Sequence, residues 1–201
     1  MKLPRSFYIP KDTVTIAREL LGKLLVVPDA DGRRVSGMIV ETEAYLGIGD
    51  RAAHSFGGRR TARNEVTYGL GGHAYVFFIY GMYHQLNVVT GPAERPHVVL
   101  IRAVEPIEGI ELMRERRGRK RDRDLASGPG KLCIALAIDR SFNNENFRGD
   151  RIWIENFRSL KATEIAVGKR IGIDYAGEDS DLPYRFWIGK NNFVSRPRKE
   201  M

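Results

Sequence analysis

The run Ala74-Tyr75-Val76-Phe77-Phe78-Ile79-Tyr80 stops at Gly81, and Gln85 to Thr90 brings the chain back. Two β-prone arms around a glycine turn specify a β-hairpin. A hairpin alone is marginal in water, so the rest of the chain has to supply strands for it to join. Several segments can. Lys23 to Val27 and Val35 to Tyr45 are strand-like and flank the turn residues Asp29-Ala30-Asp31-Gly32. Val98 to Val104 is apolar and follows Gly91-Pro92 and Pro96, and Arg151 to Glu155, Glu164 to Ile173 and Tyr184 to Ile188 are further strand candidates.

Helices are fewer. Thr13 is placed to cap one over Val14 to Leu21, with Ile16, Leu20 and Leu21 on its apolar side. Glu105-Pro106 reads as the opening of a second around Ile107 to Arg114, proline being tolerated in a first turn. Leu132 to Ile138 is apolar all round and reads as a third, buried helix. Strands and helices do not alternate. The pattern predicts an α+β fold: a single domain over residues 1–201, built on a curved, mostly antiparallel β-sheet with flanking helices and a protruding β-hairpin.

The chain carries 33 Lys and Arg against 25 Asp and Glu, a formal charge of +8. A field of that sign draws polyanions, nucleic acid first among them. Seven basic and two acidic residues fall in Arg114 to Arg123, which has almost no apolar content and is expected to be a mobile loop. Cys133 is the only cysteine and lies in an apolar run, so an inert buried thiol is expected. The N-terminal residues contain no apolar signal region, and no run reaches membrane length. A cytoplasmic protein fits these features.

Two kinds of site are excluded. Gly128-Pro129-Gly130-Lys131 resembles part of a phosphate loop, but Leu125 and Leu132 stand where that motif needs Gly and Ser or Thr. His54, His73, His84 and His97 are scattered and no HExxH or CxxC spacing occurs, so no metal site is expected.

Residues with possible chemistry cluster elsewhere. Glu41, Glu43 and Tyr45 share a face if their strand stays extended. On spacing alone, a solvated face at a strand end is the commoner origin of such a pattern. The polar, glycine-bearing segment Gly47 to Asn64 follows and carries His54. Tyr80 precedes Gly81 at the hairpin tip, where an aromatic can act as a wedge. Arg102 interrupts an apolar strand and calls for a carboxylate partner unless it faces water.

Taken together, these segments resemble the alkyladenine (3-methyladenine, or methylpurine) DNA glycosylase family. The matching motifs are ETEAYLG (41–47), AAHS (52–55), GGRRTARN (57–64), YVFFIYGMYHQLN (75–87), LIRAVEP (100–106) and SGPGKLCIALAI (127–138), with the closing region 164–195. They run in collinear order over nearly the whole chain.

The resemblance implies a monofunctional glycosylase acting on alkylated or deaminated purines in double-stranded DNA. Glu43 would activate the attacking water, and Arg102 with the backbone near His54 would help fix it. Tyr45 and His54 would sandwich the extruded base, Phe77 would close the pocket edge, and Asn87 would crowd the exocyclic amine of guanine. Phe77 departs from the tyrosine expected in vertebrate members and loses a hydroxyl there. Tyr80 would fill the gap left in the stack, flanked by Met82 and Tyr83, with Arg59, Thr61 and Lys131 on the phosphates. No cofactor or metal is implied, and a monomer is expected. Two other readings stay open on the residues: a basic nucleic-acid-binding module without chemistry, and a hydrolase of free nucleosides.

Overall fold

A computed structural model describes residues 1–9 and 12–195, so the C-terminal limit of the 1–201 expectation lies outside the described residues. The strands are β1 (Leu24–Pro28), β2 (Arg34–Tyr45), β3 (Ala74–Ile79), β4 (Tyr83–Thr90), β5 (His97–Glu108), β6 (Trp153–Glu155), β7 (Ile165–Gly168) and β8 (Arg185–Ile188). They form one sheet in the order β3-β4-β5-β2-β1-β6, with β8 pairing β2 and β7 pairing β8. Every pairing is antiparallel. Helices α1 (Thr13–Glu19), α2 (Ile110–Arg116), α3 (Asp122–Leu125) and α4 (Pro129–Ala135) flank it. The α+β sheet with a projecting hairpin is as the sequence predicts.

Strand β2 organises the site because it is long enough to serve two partners on one edge. Residues 34–38 pair with β1, and residues 41–43 pair with β8. On its other edge β2 pairs with β5, with a register shift at Glu41/Thr42: Glu41 lies opposite Ala103 and Thr42 opposite Ile101. Arg102 therefore has no cross-strand partner, which marks a bulge that re-aims its side chain. The main core includes Ile39, Leu86, Val99, Ile101, Leu132 and Phe147. Cys133 is buried there as expected, and burial pushes its thiol pKa up.

Four local expectations need correction. The N-cap of α1 is Asp12, whose carboxylate accepts from Thr15 N–H at 2.9 Å. Thr13 is instead buried, with its hydroxyl 2.9 Å from that of Thr90 and 3.1 Å from His97 Nδ1. Pro106 does not open a helix. Strand β5 runs through it to Glu108, Pro106 lies opposite Gly37 beside a register shift, and α2 starts only at Ile110. Proline is tolerated where the ladder is already irregular, since it has no N–H to give.

The third correction concerns the basic run, which is tied down rather than loose. Arg114 bonds Asp122 through Nε and Nη2 at 2.8 Å, Arg117 Nε donates to Leu125 O, and Arg121 pairs with Asp124. Acids within and beside the run absorb part of its charge. The fourth concerns strand length: of Glu164 to Ile173, only Ile165–Gly168 is strand.

The hairpin turn has positive φ at Tyr80 (54°) and Gly81 (65°), the left-handed pair that matches strand twist in a tight turn. The turn leaves Tyr80 79% exposed and Met82 64% exposed. Just beyond the turn, a Cβ on Gly130 of α4 would come 3.0 Å from the Tyr83 side chain. Glycine there lets α4, and with it Lys131, approach the hairpin.

Candidate active site

Sheet register gathers the site. Tyr75 lies opposite Asn87, Asn87 opposite Leu100, Leu100 opposite Glu43, and Glu43 opposite Arg185. Directly opposed residues project to one face, so this row crosses five strands on a single side of the sheet. Two residues along their strands, Phe77 and Tyr45 extend the same face.

Both carboxylates of β2 are fully buried, so the solvated face favoured by spacing is wrong. Burial of charge demands partners, and they are present. Glu43 Oε1 accepts from the Ile171 N–H at 2.8 Å. Its Oε2 accepts from Arg102 Nη1 at 3.2 Å and from the Tyr45 hydroxyl at 2.9 Å. Arg102 does have its carboxylate partner, and a second one in Glu41, 3.0 Å from Nε. Burial disfavours the guanidinium charge, but Glu43 and Glu41 outweigh it and the Arg102 pKa is raised. Burial and the neighbouring Glu43 also raise the Tyr45 hydroxyl well above its ordinary value, which keeps it a donor.

A second buried pair braces Tyr45. The Arg170 guanidinium sits 4.7 Å from the Tyr45 ring centroid. Its Nη2 donates to Asp50 Oδ1 at 2.9 Å and its Nη1 to Ala44 O at 3.0 Å. Asp50 in turn accepts from the N–H groups of Leu46 and Ala52. One face of the tyrosine is thus occupied by a fixed cation.

His54 stands edge-on to Phe77, ring centroids 4.6 Å apart, and its Nδ1 lies 2.8 Å from the Tyr75 hydroxyl. Burial of the ring against these neighbours, with Arg63 and Arg59 nearby, lowers its pKa well below the histidine range, even though the residue keeps an exposed edge. The unfolded chain takes up a proton near pH 6.5 that the folded ring refuses. The stability His54 contributes is therefore present above about pH 6.5 and lost as pH falls toward the folded value. In a two-dimensional NMR titration the His54 ring should titrate below about 6.5. A midpoint at or above that value would contradict this account of the pocket wall.

The remaining expected residues come from several elements. Asn87 is buried and its Nδ2 donates to Tyr75 O at 3.2 Å. Arg59 and Thr61 line a cavity of about 300 Å³ with His54, Arg63 and Tyr175. Tyr80, Met82 and Tyr83 lie at the hairpin tip and Lys131 on α4. Among the described residues no group of three or more His, Cys, Asp or Glu could hold a metal, and no helix is long and apolar enough to cross a membrane.

Sequence reading missed Asp50, Arg170, Ile171, Arg185 and Ser195. Arg170 and Asp50 are 120 residues apart and Ser195 and Glu41 are 154 apart, so no local pattern could join them.

Residues 6–192 match the methylpurine-DNA glycosylase family model. A protein of Clostridium acetobutylicum, provisionally named a 3-methyladenine DNA glycosylase, is 50% identical over the full length of both chains. Relatives with the same provisional name are 48% identical in Desulfitobacterium hafniense, over 96% of this chain and 98% of the other, and 47% identical in Bacillus thuringiensis, over 98% and 100%. A match of that extent, on a sheet that brings Glu43, Tyr45, Phe77, Asn87 and Arg102 to one face, places the chain in the methylpurine-DNA glycosylase family.

Proposed function

We propose that the protein is a monofunctional DNA glycosylase that extrudes alkylated or deaminated purines from duplex DNA and hydrolyses their N-glycosidic bond. The observation that carries this reading is the Glu43 carboxylate, buried among donors beneath aromatic side chains. An ionised carboxylate offers roughly four lone-pair positions. Ile171, Arg102 and Tyr45 fill three, which leaves one for a water. Glu43 would take the proton of that water as it attacks C1′, and its charge would favour the oxocarbenium-like sugar. Solvent does not reach Glu43 in the free protein. The reading therefore requires the groups that cover the Glu43 carboxylate to open when the nucleotide enters.

The base would stack on the face of Tyr45 that Arg170 does not cover, against His54 and Phe77. A cationic purine is drawn to such rings and leaves readily because departure neutralises it. A neutral His54 suits this role, since an imidazolium would repel the cation. Phe77 supports stacking without a hydroxyl contact, and Asn87 would stand against the exocyclic amine of guanine. Extrusion costs a few kcal/mol of unstacking. The exposed ring of Tyr80, with Met82 and Tyr83 beside it, would offset part of that cost by filling the gap. Arg59, Thr61 and Lys131 would take phosphates, and the protein would work as a monomer.

The test is base release from duplexes carrying a single 3-methyladenine, 7-methylguanine, hypoxanthine or ethenoadenine. Free base with an intact abasic strand is expected from one or more of them, with binding that weakens steeply as salt rises. Binding without release from any lesion would favour a non-catalytic DNA-binding module. Salt-insensitive cleavage of free inosine would favour a nucleoside hydrolase.

A further inference from the structure

Glu41 is fully buried, and the chemistry proposed for Glu43 makes no use of it. Its carboxylate takes four hydrogen bonds. Arg102 Nε (3.0 Å), Arg185 Nε (2.7 Å) and Ser195 Oγ (2.9 Å) converge on Oε1, and the Ser195 N–H reaches Oε2 at 2.7 Å. All four donors come from the protein and the residue is fully buried, so its charge is accounted for without any contact to substrate or water. Any effect it has on chemistry must pass through a partner.

Arg102 is the partner that also touches Glu43. Its guanidinium is a planar fork whose edges are not equivalent. With Nε held by Glu41 and Nη2 3.5 Å from Ser195 Oγ, Nη1 is the edge left for Glu43. The bulge at Arg102 on β5 turns the side chain toward the carboxylates, and the bonds to Glu41 and Ser195 set which edge of the fork meets Glu43. Freed from Glu41, the guanidinium could turn Nε or Nη2 toward Glu43 and disturb the position where water would sit.

We propose that Glu41 and Ser195 are positioning residues: they lock the Arg102 guanidinium in the orientation that presents Nη1 to Glu43, and so make the C-terminal segment part of the active centre. The proposal rests on Glu43 being the base. Partners that orient metal ligands change activity by about 10–100-fold when removed, and misplacement of a positioned group by about 1 Å can cost about 100-fold; a comparable loss is expected here.

The test uses the full chain as parent, Glu41→Gln, Ser195→Ala and Ser195→Thr. Single-turnover base release from a hypoxanthine duplex at saturating protein is compared with affinity for an abasic-analogue duplex and with thermal midpoint. Glu41→Gln is expected to slow release about 10–100-fold with affinity within about twofold of the parent. Ser195→Ala should slow release in the same way at an unchanged midpoint, and Ser195→Thr should restore it. Should Glu41→Gln fail to fold, Ser195→Ala decides, because it removes one hydroxyl and keeps the main-chain bond to Oε2. Parent-like release by Ser195→Ala, or losses of release and affinity in equal proportion, overturns the proposal. A parent that releases no base overturns the glycosylase reading and this proposal with it. Release shared equally by parent, Glu41→Gln and Ser195→Ala removes only the positioning role.

Discussion

Glu43→Gln should bind a lesion duplex as tightly as the parent and release base about 10²- to 10⁴-fold more slowly. The side chains are almost the same size, so the aromatic walls at Tyr45, His54 and Phe77 need not move. What changes is charge and acceptor count. An amide can neither take the proton of the attacking water nor favour positive charge on the sugar. It also turns an NH₂ group toward a donor, either Ile171 N–H on one side or Arg102 and Tyr45 on the other. The measurement is free base by chromatography under single-turnover conditions, paired with fluorescence anisotropy on the same duplex. Parent-like release from the variant would remove Glu43 from the chemistry, whatever its burial.

Arg102→Leu should be the most damaging substitution for stability. Removing one partner of a buried ion pair strands the other, at a cost of about 3–5 kcal/mol. Here the loss leaves Glu43 with no cationic partner, only the Ile171 N–H and the Tyr45 hydroxyl, while Glu41 keeps Arg185 and Ser195. For a domain of this size that corresponds to a fall of roughly 6–20 °C in thermal midpoint. Arg102→Lys should recover part of the midpoint but little of the base release, because a single ammonium cannot bond Glu41 and Glu43 from separate edges of a fork. Calorimetry on the two variants gives the comparison. Equal midpoints for parent and Arg102→Leu would mean that the network carries no net stabilising role.

The main strands were legible because the period-two pattern and turn residues act over short distances. The hairpin over residues 74–90, the strand ending at Tyr45 and the strand through Arg102 could be read directly. Boundaries were less so. Asp12 outcompeted Thr13 as a cap because Thr13 is drawn into the core toward Thr90 and His97. Pro106 stayed in β5 because a register shift there spares the missing donor. The basic run 114–123 is held because Asp122 and Asp124 answer Arg114 and Arg121 in space, which composition does not record.

The candidate site divides in the same way. The pairing of Glu43 and Tyr45 on one face follows from their spacing, and the need of Arg102 for a carboxylate follows from its place in an apolar strand. Their burial does not follow from either. It is produced by residues beyond Gly168, where Arg170 and Ile171 close over Tyr45 and Glu43, and by Ser195, which reaches Glu41 from the far end of the described chain. A reader of local pattern sees a polar strand end. The remote segments turn it into an enclosed pair of carboxylates.

The most direct test is a crystal structure of Glu43→Gln bound to a duplex with one ethenoadenine. The purine should lie outside the helix between the rings of Tyr45 and His54, with C1′ turned toward residue 43 and Tyr80 in the vacated stack. A lesion still paired in the duplex, or a base seated in the cavity lined by Arg59, Arg63 and Tyr175 with residue 43 out of reach of its sugar, would contradict the account.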